Sequence, residues 1–212
     1  MKLDSEISIL EAAQLVIYSM EQEETIRQQM EAYGFTPNRM QQGKGLLTKS
    51  RHCQKEQSER YNAQWELTQQ LQAEMDMIIP LFKEHAKVTK VAFRSEPNTV
   101  HSLKIDRLER KGWPAVRQAE HFYAKLLELD LNLEHYGISK KEIQQNRTAI
   151  KALQTMKEER MRIKALAENC TQTKQESLQR LRSWVIEFRS MARIAFKQTP
   201  QMLEAFGIPV IA

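Results

Sequence analysis

Five histidines and two cysteines are the residues best suited to hold a metal or to act as base and nucleophile. A di-iron site in a helical bundle needs Glu-x-x-His on each of two helices. The residues three places before His52, His85, His101, His121 and His135 are Lys49, Phe82, Asn98, Gln118 and Asn132, and none is glutamate. No Cys-x-x-Cys or Cys-x-x-Cys-His occurs, so zinc and c-type haem patterns are missing. His52 and Cys53 are adjacent, which on a helix points them about 100° apart and unfits them to chelate together. There is no Gly-x-Ser-x-Gly, no Walker loop and no Gly-x-Gly-x-x-Gly. Gly43-Lys44-Gly45 is too short to cradle a phosphate and follows no strand pattern. His85 and His121 read as packing histidines beside apolar stripes. The expectation is no catalytic residue, no cofactor and no metal.

Charge offers more. Lys140, Lys141, Arg147, Lys151, Lys157 and Arg160 crowd one stretch, with Arg162 and Lys164 beyond them. Lys44, Lys49, Arg51, Lys55 and Arg60 crowd another. Such ridges can track phosphates, with affinity falling steeply in salt. Glu56, Glu59, Glu158 and Glu159 are interspersed, and no aromatics alternate for base stacking. A solvated face of mixed charge is the first reading, and an anion-binding ridge at Lys140, Lys141, Arg147, Lys151, Lys157 and Arg160 the second. The net charge of +5 permits an anionic partner without demanding one.

The C-terminal segment is apolar where most chain ends are polar. Phe206, Ile208, Val210 and Ile211 fall within six residues. Gly207 and Pro209 oppose a regular helix, so an extended tail is expected. It should dock in a groove of its own bundle, or else on a partner chain.

These residues must be carried by helices. Six glycines and six prolines are few for 212 residues, aromatics are 7%, and no β-branched run alternates with polar residues. No stretch nears the roughly 18 apolar residues of a membrane span. The acidic start, Met1-Lys2-Leu3-Asp4-Ser5-Glu6, lacks the basic region of a signal peptide. With two cysteines giving no disulfide framework, a soluble, cytoplasmic chain without membrane contact is expected.

The helices repeat. Tyr33-Gly34-Phe35-Thr36-Pro37 returns as Tyr136-Gly137-Ile138-Ser139-Lys140, and Ala92-Phe93-Arg94 with Pro97 returns as Ala195-Phe196-Lys197 with Pro200. Both pairs share one offset, 136 − 33 = 103 and 195 − 92 = 103. This predicts a tandem duplication of a helical hairpin: 1–95 as the first copy, 96–113 as a linker with a short helix over Lys104–Lys111, and 114–212 as the second copy with the apolar tail. In each copy a short helix (Asp4–Ala32, then Pro114–Tyr136) precedes a long one (Thr36–Ser95, then Ser139–Lys197). Each glycine after tyrosine reads as a left-handed stop. Thr36-Pro37 and Ser139-Lys140-Lys141-Glu142 read as N-terminal caps.

Tyr61, Trp65, Thr68, Leu71, Met75, Ile78, Phe82, Ala86, Thr89 and Phe93 step along the first long helix by threes and fours and should face inward. Gly43 and Gly45 weaken that helix, and Pro80 should kink it near Asp76. The fold expected is all-α: an elongated antiparallel bundle with the long helices related by a pseudo-twofold axis. A compact bundle, with the long helices broken at Gly43–Gly45 and Pro80, is the second arrangement. In function this predicts a non-enzymatic scaffold or adaptor acting through a protein partner or itself, as a homodimer for example. A nucleic-acid-associated protein using the basic ridges is the alternative.

Overall fold

The computed structural model describes residues 3–210, and among these every regular element is helical. Ser5 opens α1 (Glu6–Gln22): its Oγ accepts from the Ser8 amide and the Ser8 Oγ accepts from the Ser5 amide, both at 3.1 Å. The expected single helix to Ala32 is interrupted. Glu23 turns extended (φ −115, ψ 109) before α2 (Glu24–Ala32). The break turns Ile26 and Met30, both fully buried, into the core.

Tyr33-Gly34 ends α2 as the sequence predicts. Gly34 is left-handed (φ 90), the Phe35 amide donates to Met30 and the Gly34 amide to Glu31, the paired bonds of a Schellman stop. Gly137 repeats the geometry (φ 83), with Ile138 donating to Leu133 and Gly137 to Glu134.

Helix α3 (Pro37–Ala92) and helix α6 (Lys140–Ala195) have 56 residues each. Their starts differ by 140 − 37 = 103 and their ends by 195 − 92 = 103. The Ser139 Oγ accepts from the Glu142 amide and caps α6. Helix α3 runs unbroken through Gly43, Gly45 and Pro80, which removes the arrangement with broken long helices. Gly43 has a packing reason: a Cβ there would overlap the Trp184 indole.

The expected helix over Lys104–Lys111 is absent. The short helix lies earlier, α4 (Pro97–Ser102), and Lys104 is left-handed (φ 53). Helix α5 starts at Gly112 and stops at Glu128, short of the expected Tyr136; Asp130 is left-handed (φ 46), and a 3-10 turn covers Glu134–Tyr136. The tail is not extended throughout, since Pro200–Phe206 forms a 3-10 helix ending at left-handed Gly207.

The chain divides into two compact units, Met1–Tyr61 with Ala165–Ala212, and Asn62–Lys164. In the first unit, α1 and α2 pack on residues 37–61 and 165–195. Phe35, Phe188 and Phe206 meet edge to face, with centroids 4.8 and 4.9 Å apart; such pairs add about 0.5–1.5 kcal/mol beyond burial. Pairs from one long helix to the other run Arg39–Glu187, Ser50–Ser177 and Gln57–Thr171.

In the second unit, α4 and α5 pack on residues 62–92 and 140–164, around Phe82, Phe122, Tyr123 and Leu126. Its pairs run His85–Glu142 and Thr68–Arg160. Two expected inward aromatics point out: Tyr61 is 48% and Trp65 65% exposed. No residue of α3 between Cys53 and Leu71 is buried, and Gln57 and Thr68 there meet α6 through polar pairs with Thr171 and Arg160.

Candidate functional site

A mostly carbon-lined groove of about 580 Å³ opens in the first unit. Helix α1 supplies Ile7, Leu10, Glu11, Gln14, Leu15 and Tyr18, and α3 supplies Arg51 and Gln54. Ile9, Leu10, Ala13, Val16, Ile17 and Met20 turn one face of α1 to the core. The opposite face carries Ile7, Glu11, Gln14 and Tyr18, spaced four, three and four. Ile7 is 64% and Tyr18 56% exposed. Two large apolar side chains are thus exposed on one helix face beside a concave surface. Sequence reading passed over it because Ile7 and Tyr18 look like ordinary members of an apolar helix.

The second unit holds a buried polar cluster. His85 of α3 has Nδ1 at 3.0 Å from the Tyr123 hydroxyl of α5 and Nε2 at 3.4 Å from Glu142 Oε1 of α6. With the ring neutral, the tyrosine donates to Nδ1 and Nε2–H points at the carboxylate, which selects one tautomer. Burial pushes the His85 pKa down, against the upward pull of Glu142 and Glu84. Burial, then the Glu142 charge, pushes the Tyr123 pKa up. Tyr123 is fully buried, and the cluster ties three helices together. His85 is a packing residue as the sequence suggests. Its partners lie 38 and 57 residues away in sequence (123 − 85 and 142 − 85), and no local pattern announces them.

The basic stretch is largely engaged. Lys140 Nζ bonds Asp130 at 2.6 Å, holding that carboxylate below its usual range. Lys157 Nζ sits 4.5 Å from the Trp113 ring centroid, and Arg160 Nε donates to Thr68 at 2.8 Å. Arg147 is half-buried, while Lys141 and Lys151 are exposed. The tail residues separate: Phe206 and Ile208 are buried in the core of the first unit, Val210 is exposed, and Ile211 lies outside the described residues.

Cys53 and Cys170 are free thiols. Among the described residues no group of three or more His, Cys, Asp or Glu could hold a metal ion, and no helix is long and apolar enough to cross a membrane. His121 is half-buried, with Nε2 at 2.9 Å from the Ser102 carbonyl. Met161 is exposed, whereas Met20, Met30, Met40 and Met75 are buried. No protein-family model, curated protein or solved structure matches the chain.

Proposed function

We propose that the chain is a duplicated helical hairpin acting without catalysis, as a scaffold or adaptor that binds protein through the α1 groove. The duplication draws support from positions beyond the original sequence matches. Left-handed Lys104 and Gly207 are 207 − 104 = 103 apart. So are buried Leu103 and Phe206, and buried Ile105 and Ile208. The apolar tail is then the second copy of an internal element, which accounts for Phe206 and Ile208 packing at home. The contacting pairs of each unit, rising along one long helix while falling along the other, fit antiparallel segments.

Helices α1 and α5 have 17 residues each but start 112 − 6 = 106 apart. At that register Ile9, Leu10, Ala13, Val16, Ile17 and Met20 overlie the six buried residues of α5, Ala115 to Leu126. His121 therefore corresponds to Leu15, not to Tyr18 as the uniform offset implies. The second copy makes its turn in three fewer residues.

The observation that carries the binding reading is the groove, apolar and flanked by exposed Ile7 and Tyr18. A photoreactive amino acid replacing Tyr18, irradiated in the host cell, should give a protein adduct, and one replacing exposed Ser183 none. No adduct from Tyr18 would refute the reading. The nucleic-acid alternative is weakened by the contacts of Lys140, Lys157 and Arg160. Retention on heparin that disappears at moderate salt would favour it.

A further inference from the structure

We infer that the α1 groove receives helix α1 of a second copy of this chain, running antiparallel across a twofold axis. The inference rests on the groove being a protein-binding surface and adds the identity of the partner.

The exposed stripe is complementary to itself when read backwards. Ile7, Glu11, Gln14 and Tyr18 keep the alternating three- and four-residue spacing of a helix–helix seam. In an antiparallel pair centred between Glu11 and Gln14, Ile7 faces the second copy's Tyr18. Glu11 faces the second copy's Gln14, whose amide can donate to the carboxylate. Each contact occurs twice, as an isologous interface requires. The groove carries one acid, Glu11, and one base, Arg51, so two copies meet without net charge. At the ends Asp4 approaches Glu21 of the second copy, but Glu21 is already held by Lys44 Nζ at 2.5 Å.

The other unit indicates what the groove wants. By the 103 offset, Arg51 and Gln54 correspond to Gln154 and Lys157; by the 106 register of the first helices, Ile7 corresponds to Trp113. In the second unit Lys157 lies over the Trp113 ring at 4.5 Å, and Gln154 donates to Glu120 at 2.5 Å. That surface is closed by an aromatic ring of the chain itself. In the first unit the ring is missing and isoleucine stands in its place, leaving the groove. The antiparallel pair brings the Tyr18 ring of the second copy to Ile7, the place Trp113 occupies in the other unit. Arg51 is close by to lie against it, as cations do on aromatic faces.

Light scattering coupled to size exclusion, with sedimentation over a concentration series, tests this. The full chain should show twice its 24.9 kDa mass, and Tyr18→Glu should weaken the dimer at least tenfold while leaving the circular dichroism unchanged. In a background of Cys53→Ala and Cys170→Ala, Ile7→Cys chains mixed with Tyr18→Cys chains should form a disulfide, and Ile7→Cys chains alone should not. A monomer at every concentration overturns the inference, as does a dimer indifferent to Tyr18→Glu or one that cross-links Ile7→Cys to itself. A monomer whose Tyr18 position still photo-cross-links a different protein in cells ends the self-docking and leaves the binding reading standing. A monomer with no such adduct ends both.

Discussion

Replacing Gly43 or Gly45 with alanine makes two chemically identical changes on one helix, and the structure gives them opposite signs. Glycine inside a helix is about 1 kcal/mol less favourable than alanine. At Gly45 nothing lies within 4 Å of the new methyl, so Gly45→Ala should stabilise by nearly that whole amount. At Gly43 the methyl would meet Trp184 Cε2 and Cη2 at 2.5 and 2.6 Å. The indole cannot retreat freely, because Phe35 and Phe188 stand 6.1 and 6.0 Å from it, centroid to centroid. Overpacking of this kind costs about 1–3 kcal/mol, and an overlap this deep belongs at the upper end. After subtracting the helix gain, Gly43→Ala should destabilise by about 2 kcal/mol. For a chain of this length about 1 kcal/mol moves the melting temperature by roughly 2–4 °C. Gly45→Ala should therefore melt about 2–4 °C higher than the parent and Gly43→Ala about 4–8 °C lower. The 103 offset supplies a rescue. At that offset Gly43 and Trp184 match Asn146 and Leu81, a larger residue in place of glycine and a smaller one in place of tryptophan. Trp184→Leu should then cost less in the Gly43→Ala chain than in the parent, a coupling of about 0.5–3 kcal/mol. The assay is thermal melting followed by circular dichroism. A Gly43→Ala chain as stable as Gly45→Ala would refute the packing argument.

Three further outcomes are expected. His85→Phe should flatten the acid side of the stability profile. The folded state holds the His85 pKa below its ordinary 6.5, so the unfolded chain binds the extra proton first, and stability is lost as pH falls through the unfolded value; urea midpoints at pH 7.5 and 5.5 that drop equally in both proteins would contradict this. Pro80→Ala should stabilise by up to about 3 kcal/mol, since the helix is continuous there and Pro80 is exposed; a loss in urea denaturation would show that the proline shapes the packing. Phe206→Ala should cost about 3–5 kcal/mol and Leu103→Ala about 2–5 kcal/mol, as both side chains are fully buried; a Phe206→Ala chain with an unchanged melting temperature would remove the tail from the core.

Sequence alone settled the helical class, the two glycine turns and where α3 and α6 begin. Those boundaries depend on a few neighbouring residues: a glycine free to turn left-handed at Gly34 and Gly137, a proline opening α3 at Pro37, a serine hydroxyl at Ser139. Hydrogen bonds three to five residues apart decide them, so a short motif suffices. The breaks at Glu23 and Asp130 were not legible in this way. No glycine or proline marks either one, and each exists because the chain must turn to bury Ile26 and Met30, or Leu133.

Tertiary structure also decided the converse. Gly43 and Pro80 look like breakers, yet α3 continues through both, with Trp184 closing on the bare glycine. Apolar spacing cannot say which face of a helix finds a cover. Trp65 was expected on one stripe with Leu71, but six residues set the two about 120° apart around the helix; Trp65 is exposed and Leu71 buried. The same limit hid the groove and the His85–Tyr123–Glu142 cluster. Both are made by side chains brought together from distant helices, and the free energy that holds them depends on those contacts rather than on any local run of residues.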